Sequence, residues 1–148
     1  MRLIILSVMT FFVLPVFACV DISGKYLIGS RFYVQFEQNG CRTLTHSWCD
    51  STGSNCGADS YTWTLDGELI QDGGNPSYWA SISPKGDSLH RINLWDLGTI
   101  HSGLQCWWKE QWYAKTEAGD LRVTYKLFCI QDGQYQVQMK DEIWPLVK

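Results

Sequence analysis

Three polar side chains have the types and the surroundings to do chemistry: Arg42, His46 and Glu110. Glu110 lies in "CWWKEQWY", residues 106–113, where three tryptophans and a tyrosine share eight positions with one lysine and one glutamate. A carboxylate among indole rings and away from water costs several kcal/mol, or stays protonated, unless a cation meets it. Arg42 is the natural partner. The pair reads either as a structural ion pair or as one that orients a ligand in an aromatic pocket. Acid catalysis would need a second carboxylate close by, and none is placed there. His46 is either a core histidine bonded to a neighbour or the polar end of that pocket. His90 and His101 fall at surface or loop positions. No GxSxG, HExxH, P-loop or calcium-loop pattern occurs, and no Cys/His set has zinc spacing. The expectation is a non-enzymatic site with no cofactor and no metal.

The elements that would position these residues are strands. Turn signals recur at short intervals: "QNG" at 38–40, "LDG" at 65–67, "QDGGNP" at 71–76, "SPKGD" at 83–87, "TEAG" at 116–119 and "QDG" at 131–133. The runs between them are rich in Val, Ile, Thr, Tyr, Phe and Trp, and no window has helical periodicity. This predicts an all-β domain of about eight to ten strands. Hairpin-joined neighbours would form an antiparallel up-and-down meander closing into a barrel. Residues 50–58 and 96–104 are the longer loops.

Counting from the turns gives a register. If 116–119 closes a hairpin, Lys115 faces Asp120, Trp112 faces Val123, Glu110 faces Tyr125, Trp108 faces Leu127 and Cys106 meets Cys129. Trp107 and Tyr113 then point outward. A "QNG" loop sets Phe36 opposite Arg42, Val34 opposite Leu44 and Phe32 opposite His46. A "QDG" loop at 131–133 sets Tyr125 opposite Met139 and Leu127 opposite Val137, and an Asp66-Gly67 turn sets Trp63 opposite Ile70. The inner surface so drawn carries Phe32, Val34, Phe36, Leu44 and the candidate ligand contacts Arg42, His46, Trp48, Trp63, Trp108, Glu110, Trp112 and Tyr125.

Compartment follows from the ends and the cysteines. Residues 1–18, "MRLIILSVMTFFVLPVFA", have the layout of a secretory signal peptide: a basic start, a short apolar run, and Ala18 before a cut. The mature domain would be 19–148, secreted or periplasmic. An alternative is lipid anchoring at Cys19, although Phe17 fits that motif poorly. The cysteines 19, 41, 49, 56, 106 and 129 all lie beyond the leader. Their even number suggests three disulfides: Cys106–Cys129, Cys49–Cys56 and Cys19–Cys41. Without the leader, eleven bases face fifteen acids. That excludes the basic patch of a nucleic-acid binder, and no segment after the leader could span a membrane as a helix.

"DISGKYLIG" at 21–29 resembles the first-strand signature of lipocalins and avidins, which carry Gly-x-Trp where this chain has Gly24-x-Tyr26. An avidin-like chain also has a cysteine shortly before the motif, as Cys19 is here. The resemblance implies a small β-barrel that holds a ligand in its interior. The arginine of the last lipocalin strand has no counterpart in "YQVQMKDEIWPLVK", and no binding residue is carried over. Two functions are therefore expected, with an enzyme ranked below both because that reading needs two titratable groups converging in a cleft. The first is an exported protein that binds a small apolar or aromatic molecule. The alternative is an exported protein-binding factor, such as an inhibitor of a secreted hydrolase, acting through loops 50–58 and 96–104 with Ile100 and Leu104.

Overall fold

The computed structural model describes residues 19–72, 75–95 and 104–148. The leader 1–18 and residues 96–103, with Ile100 and His101, lie outside the described residues. The strands are β1 (Gly24–Ile28), β2 (Phe32–Asn39), β3 (Thr43–Cys49), β4 (Cys56–Thr64), β5 (Ile70–Asp72), β6 (Asn75–Lys85), β7 (Ser88–Trp95), β8 (Leu104–Lys115), β9 (Leu121–Gln131) and β10 (Gln134–Trp144). All pairings are antiparallel, and each ladder joins strands consecutive in the chain. The fold is thus the expected all-β meander. No helix among the described residues is long and apolar enough to cross a membrane.

The meander divides into two sheets, β1 to β4 and β5 to β10. One border is stitched by the C-terminal tail, where Tyr26 bridges Leu146, Leu27 N–H donates to Pro145 C=O (3.0 Å) and Val147 N–H donates to Lys25 C=O (2.8 Å). At the other border Gly67 N–H reaches Ile82 C=O (3.0 Å), with no strand ladder from β4 to the second sheet. The ladder therefore does not run continuously round a closed barrel among the described residues. Side chains from both sheets share one core, including Tyr26, Val34, Phe36, Leu44, Trp63, Ile82, Leu89, Tyr113, Leu121, Val123 and Trp144.

Four details of register differ from the counting above. The β2–β3 turn is Gly40-Cys41-Arg42, with Asn39 opposite Thr43, so Phe36 faces His46 and Val34 faces Trp48. Gln38 keeps β2 extended past the expected turn, because its amide binds Val20 C=O and its side-chain oxygen takes the Ile22 N–H. The slide is four residues, an even number, so Val34, Phe36, Leu44 and His46 stay on the inner face. Phe32 is 64% exposed, and Arg42 sits in the exposed turn.

The second difference is a bulge in β8. Cys106 opposes Cys129 as expected, but the register shifts between Cys106 and Trp108, and thereafter Trp108 opposes Phe128, Glu110 opposes Lys126 and Trp112 opposes Thr124. A one-residue shift turns every later side chain over. Lys109, Gln111 and Tyr113 face the interior, while Trp108, Glu110 and Trp112 lie on the outer face. The hairpin loop shortens accordingly, with Thr116 N–H bonded to Asp120 C=O (2.9 Å).

Third, Asp132 and Gly133 alone make the β9–β10 turn, both with positive φ (50° and 76°), the mark of a two-residue hairpin turn. Tyr125 then faces Lys140, and Val137 and Met139 are outside, 56% and 69% exposed. Fourth, Asp66-Gly67 closes no hairpin. Trp63 opposes Leu44, and Ile70 pairs with Ala80.

The disulfides Cys106–Cys129 and Cys49–Cys56 are present. Cys19 and Cys41 are free thiols rather than the expected third bridge. They lie side by side, and burial followed by a hydrogen bond to Cys41 pushes the Cys19 thiol up to about 11.

Gly24-x-Tyr26 has a packing reason. Tyr26 is fully buried, and its hydroxyl donates to Ile22 C=O (3.0 Å). Gly24 has φ +151°, and a Cβ there would stand 2.9 Å from both Leu146 Cδ1 and Tyr26 Oη. Gly24→Ala should therefore cost about 2 kcal/mol through strain and displaced packing. Urea unfolding would register this as a lower midpoint, and an unchanged midpoint would contradict the packing.

Candidate functional site

Facing strands of the two sheets enclose a partly open pocket of about 340 Å³. That is near the lower end of the roughly 300–1,000 Å³ usual for small-molecule sites. The first sheet supplies Ile28, Phe36, His46, Trp48, Tyr61 and Trp63, and the second supplies Tyr78, Arg91, Asn93, Lys109, Gln111, Tyr113, Tyr125 and Trp144. Strand alternation accounts for the set. Leu89, Arg91 and Asn93 share one face of β7, opposite Tyr113, Gln111 and Lys109 on the inward face of β8.

The first-sheet wall is a column of rings. The His46 imidazole lies between Phe36 (centroids 5.4 Å apart) and Trp63 (5.6 Å), with the edge of Trp48 at 5.1 Å and Tyr61 stacked beyond Trp63. Such contacts add about 0.5–1.5 kcal/mol each beyond burial. His46 Nδ1 is buried without a hydrogen-bond partner. Burial, helped by the Arg91 charge, pulls its pKa down from 6.5 to about 4, so the ring is neutral at pH 7.

The opposite wall is polar. The Arg91 guanidinium lies 4.4 Å from the centroid of Trp63 and donates from Nη2 to the Tyr78 hydroxyl (2.7 Å). Tyr78 donates onward to Asn93 Oδ1, and Asn93 Nδ2 donates to Gln111 Oε1 (3.0 Å). Arg91 Nε is sealed from solvent and has no partner. Burial opposes the guanidinium charge, but the phenols of Tyr113 and Tyr78 more than offset it, and the group stays above its ordinary value. The Lys109 ammonium rests 4.7 Å from the Tyr125 ring centroid. Burial, then the Arg91 charge, draws Lys109 down to about 8, while Glu142 acts the other way. Glu142 is itself engaged by Lys140 Nζ (2.5 Å), Trp144 Nε1 (2.9 Å) and the Tyr125 hydroxyl (3.1 Å).

Of the residues expected from the sequence, His46, Trp48, Trp63 and Tyr125 do meet at this pocket. Arg42, Trp108, Glu110 and Trp112 do not. Glu110 forms an outer-face group instead, taking the Trp108 indole N–H (2.9 Å) and lying 3.5 Å from His90 Nε2, whose ring stacks on Trp112 at 4.7 Å. The expected Arg42–Glu110 pair is absent because the turn takes Arg42 out and the bulge turns Glu110 over. Sequence reasoning missed Arg91, Asn93, Lys109, Gln111 and Tyr78. A signal existed in "SLHRIN", where leucine, arginine and asparagine alternate with His90 and Ile92 on a hairpin that turns at Gly86-Asp87.

Among the described residues no group of three or more His, Cys, Asp or Glu side chains is gathered as a metal site. No protein-family model, no curated protein and no solved structure matches the chain.

The His46 environment has a consequence for acid stability. The unfolded ring takes a proton below about 6.5 and the folded ring only near 4, so stability is full above 6.5 and falls as pH drops through that window. The loss approaches about 3 kcal/mol at the acid end. Replacing His46→Phe should flatten this part of the stability curve, read as urea midpoints at pH 7 and pH 4.5. Equal acid losses in both proteins would contradict a neutral buried imidazole.

Proposed function

We propose that this is an exported, non-enzymatic protein that binds a small aromatic molecule between its two sheets. The observation that carries the reading is the pocket itself: a cavity of ligand size, walled by aromatic rings, whose lining also includes the polar side chains of His46, Arg91 and Lys109. The layout of residues 1–18 and the two disulfides support export. We read the architecture as an incompletely closed calyx resembling lipocalins and avidins, on the strength of the sequential meander and Gly24-x-Tyr26. The sites of binding are His46, Trp48, Trp63 and Tyr125, joined by Tyr61, Arg91 and Lys109.

A protein-binding factor is the second reading, and one observation favours it: Tyr135, Val137, Met139 and Ile143 are exposed along β10. The loop after Cys49 fits that role less well. It is folded around Asp50, which takes bonds from Thr52 N–H, Thr52 Oγ1, Ser54 N–H and Asn55 Nδ2.

The two tryptophan settings allow a direct test. Titration with a panel of one- and two-ring aromatic compounds, followed by indole fluorescence and calorimetry, should yield at least one saturable ligand. Trp63→Leu should weaken that ligand at least tenfold, while Trp112→Leu on the outer face should leave it unchanged. No saturable binding, or binding indifferent to Trp63, would overturn the reading.

A further inference from the structure

Resting on that reading of the pocket, we propose that its ligand is a small aromatic acid whose carboxylate is received by Arg91 and Lys109. Both cations occupy the inner face of the β7–β8 ladder. Arg91 opposes Gln111 and Lys109 opposes Asn93, so the two are diagonal neighbours on one face. Neither is in ion-pair contact with a carboxylate among the described residues.

That arrangement is costly in the free protein. A guanidinium keeps its proton at any ordinary pH, and a buried charge needs a partner of opposite sign. Arg91 has the phenols of Tyr78 and Tyr113 and the face of Trp63 to answer it, and no carboxylate among the described residues. Burial holds the neighbouring Tyr113 phenol protonated, so it brings no negative charge. Glu142 acts on Lys109, but its oxygens are already taken by Lys140, Trp144 and Tyr125. The pocket thus holds two like charges, Arg91 and Lys109, in its lining. One oxyanion would answer both.

The rest of the lining selects what carries the oxyanion. Trp63 is stacked with His46 and also lies under the guanidinium. A planar acid would set its carboxylate against Arg91 and its ring beside these aromatic groups. The guanidinium fork matches a flat carboxylate. A neutral His46 brings no third charge, and its surrounding rings favour an apolar body over an ion such as phosphate alone.

The test compares three probes on the whole secreted protein by calorimetry at pH 7: 2-naphthoate, the neutral isostere 2-naphthalenemethanol, and inorganic phosphate. We expect naphthoate to bind at least tenfold more tightly than the alcohol, and phosphate to bind more weakly still. Arg91→Gln should remove the preference for the acid while the alcohol still binds. Lys109→Met should reduce it several-fold. The wild-type comparison stands even if a variant fails to fold. An alcohol that binds as well as the acid overturns the acid assignment and leaves the aromatic pocket standing. Phosphate as tight as naphthoate overturns the aromatic half. Failure of both naphthalene probes, with the wider aromatic panel also silent, removes the pocket reading and this one with it.

Discussion

One extra residue in β8 decides what the interior is made of. Between Cys106 and Trp108 the strand gains a bulge, and the Cys106–Cys129 crosslink sits beside it. Because strand side chains alternate with a period of two, one inserted position exchanges the faces of everything downstream. With the bulge, Lys109, Gln111 and Tyr113 enter the space between the sheets. Without it, two indoles and a glutamate would fill that space. The site's polarity, its charge and its free volume all depend on that single irregularity.

The bulge explains which inferences from sequence survive. Strand number, the meander order, both disulfides and the inner face of β2 and β3 follow from turn residues and alternation. Where the true turn differed from the expected one by an even number of residues, as at Gly40-Cys41-Arg42, the faces survived and His46 and Trp48 kept theirs; Trp63 also lines the pocket, although the Asp66-Gly67 hairpin expected to place it does not form. Where it differed by one, as at Asp132-Gly133 and at the bulge, they inverted. Nothing local marks Trp107 as a bulge. Its flanking residues are good strand formers, and the Cys106–Cys129 pair is compatible with either continuation. Arg91 was hidden for another reason. An arginine beside a histidine in a strand reads as a solvated face unless the strand is first paired on both sides.

The outer cluster of Trp108, Glu110, Trp112 and His90 is what such a fold does with displaced rings. It is a half-buried patch with its polar atoms turned to one another. The carboxylate there meets an indole N–H and keeps access to water, so it needs no buried cation. The inner cluster has the reverse problem. Its acceptors, Tyr78, Asn93 and Gln111, form a chain that is spent on holding Arg91 and each other. That chain holds the guanidinium against Trp63, which would lower the ordering cost of the proposed binding.

Charge on the whole molecule sharpens the same point. The chain carries a formal net charge of −3, so long-range attraction would not draw an anion toward it. Screening at physiological salt limits surface charges to about 8 Å in any case. Inside the pocket, water is partly excluded, and two cations act at short range in a medium where each interaction is stronger than in solution. In the proposed binding role, discrimination would come from the lining of the cavity rather than from the surface of the molecule. An acid in the pocket would gain from Arg91 and Lys109 together, and a cation of the same shape would add a third like charge to the two already there.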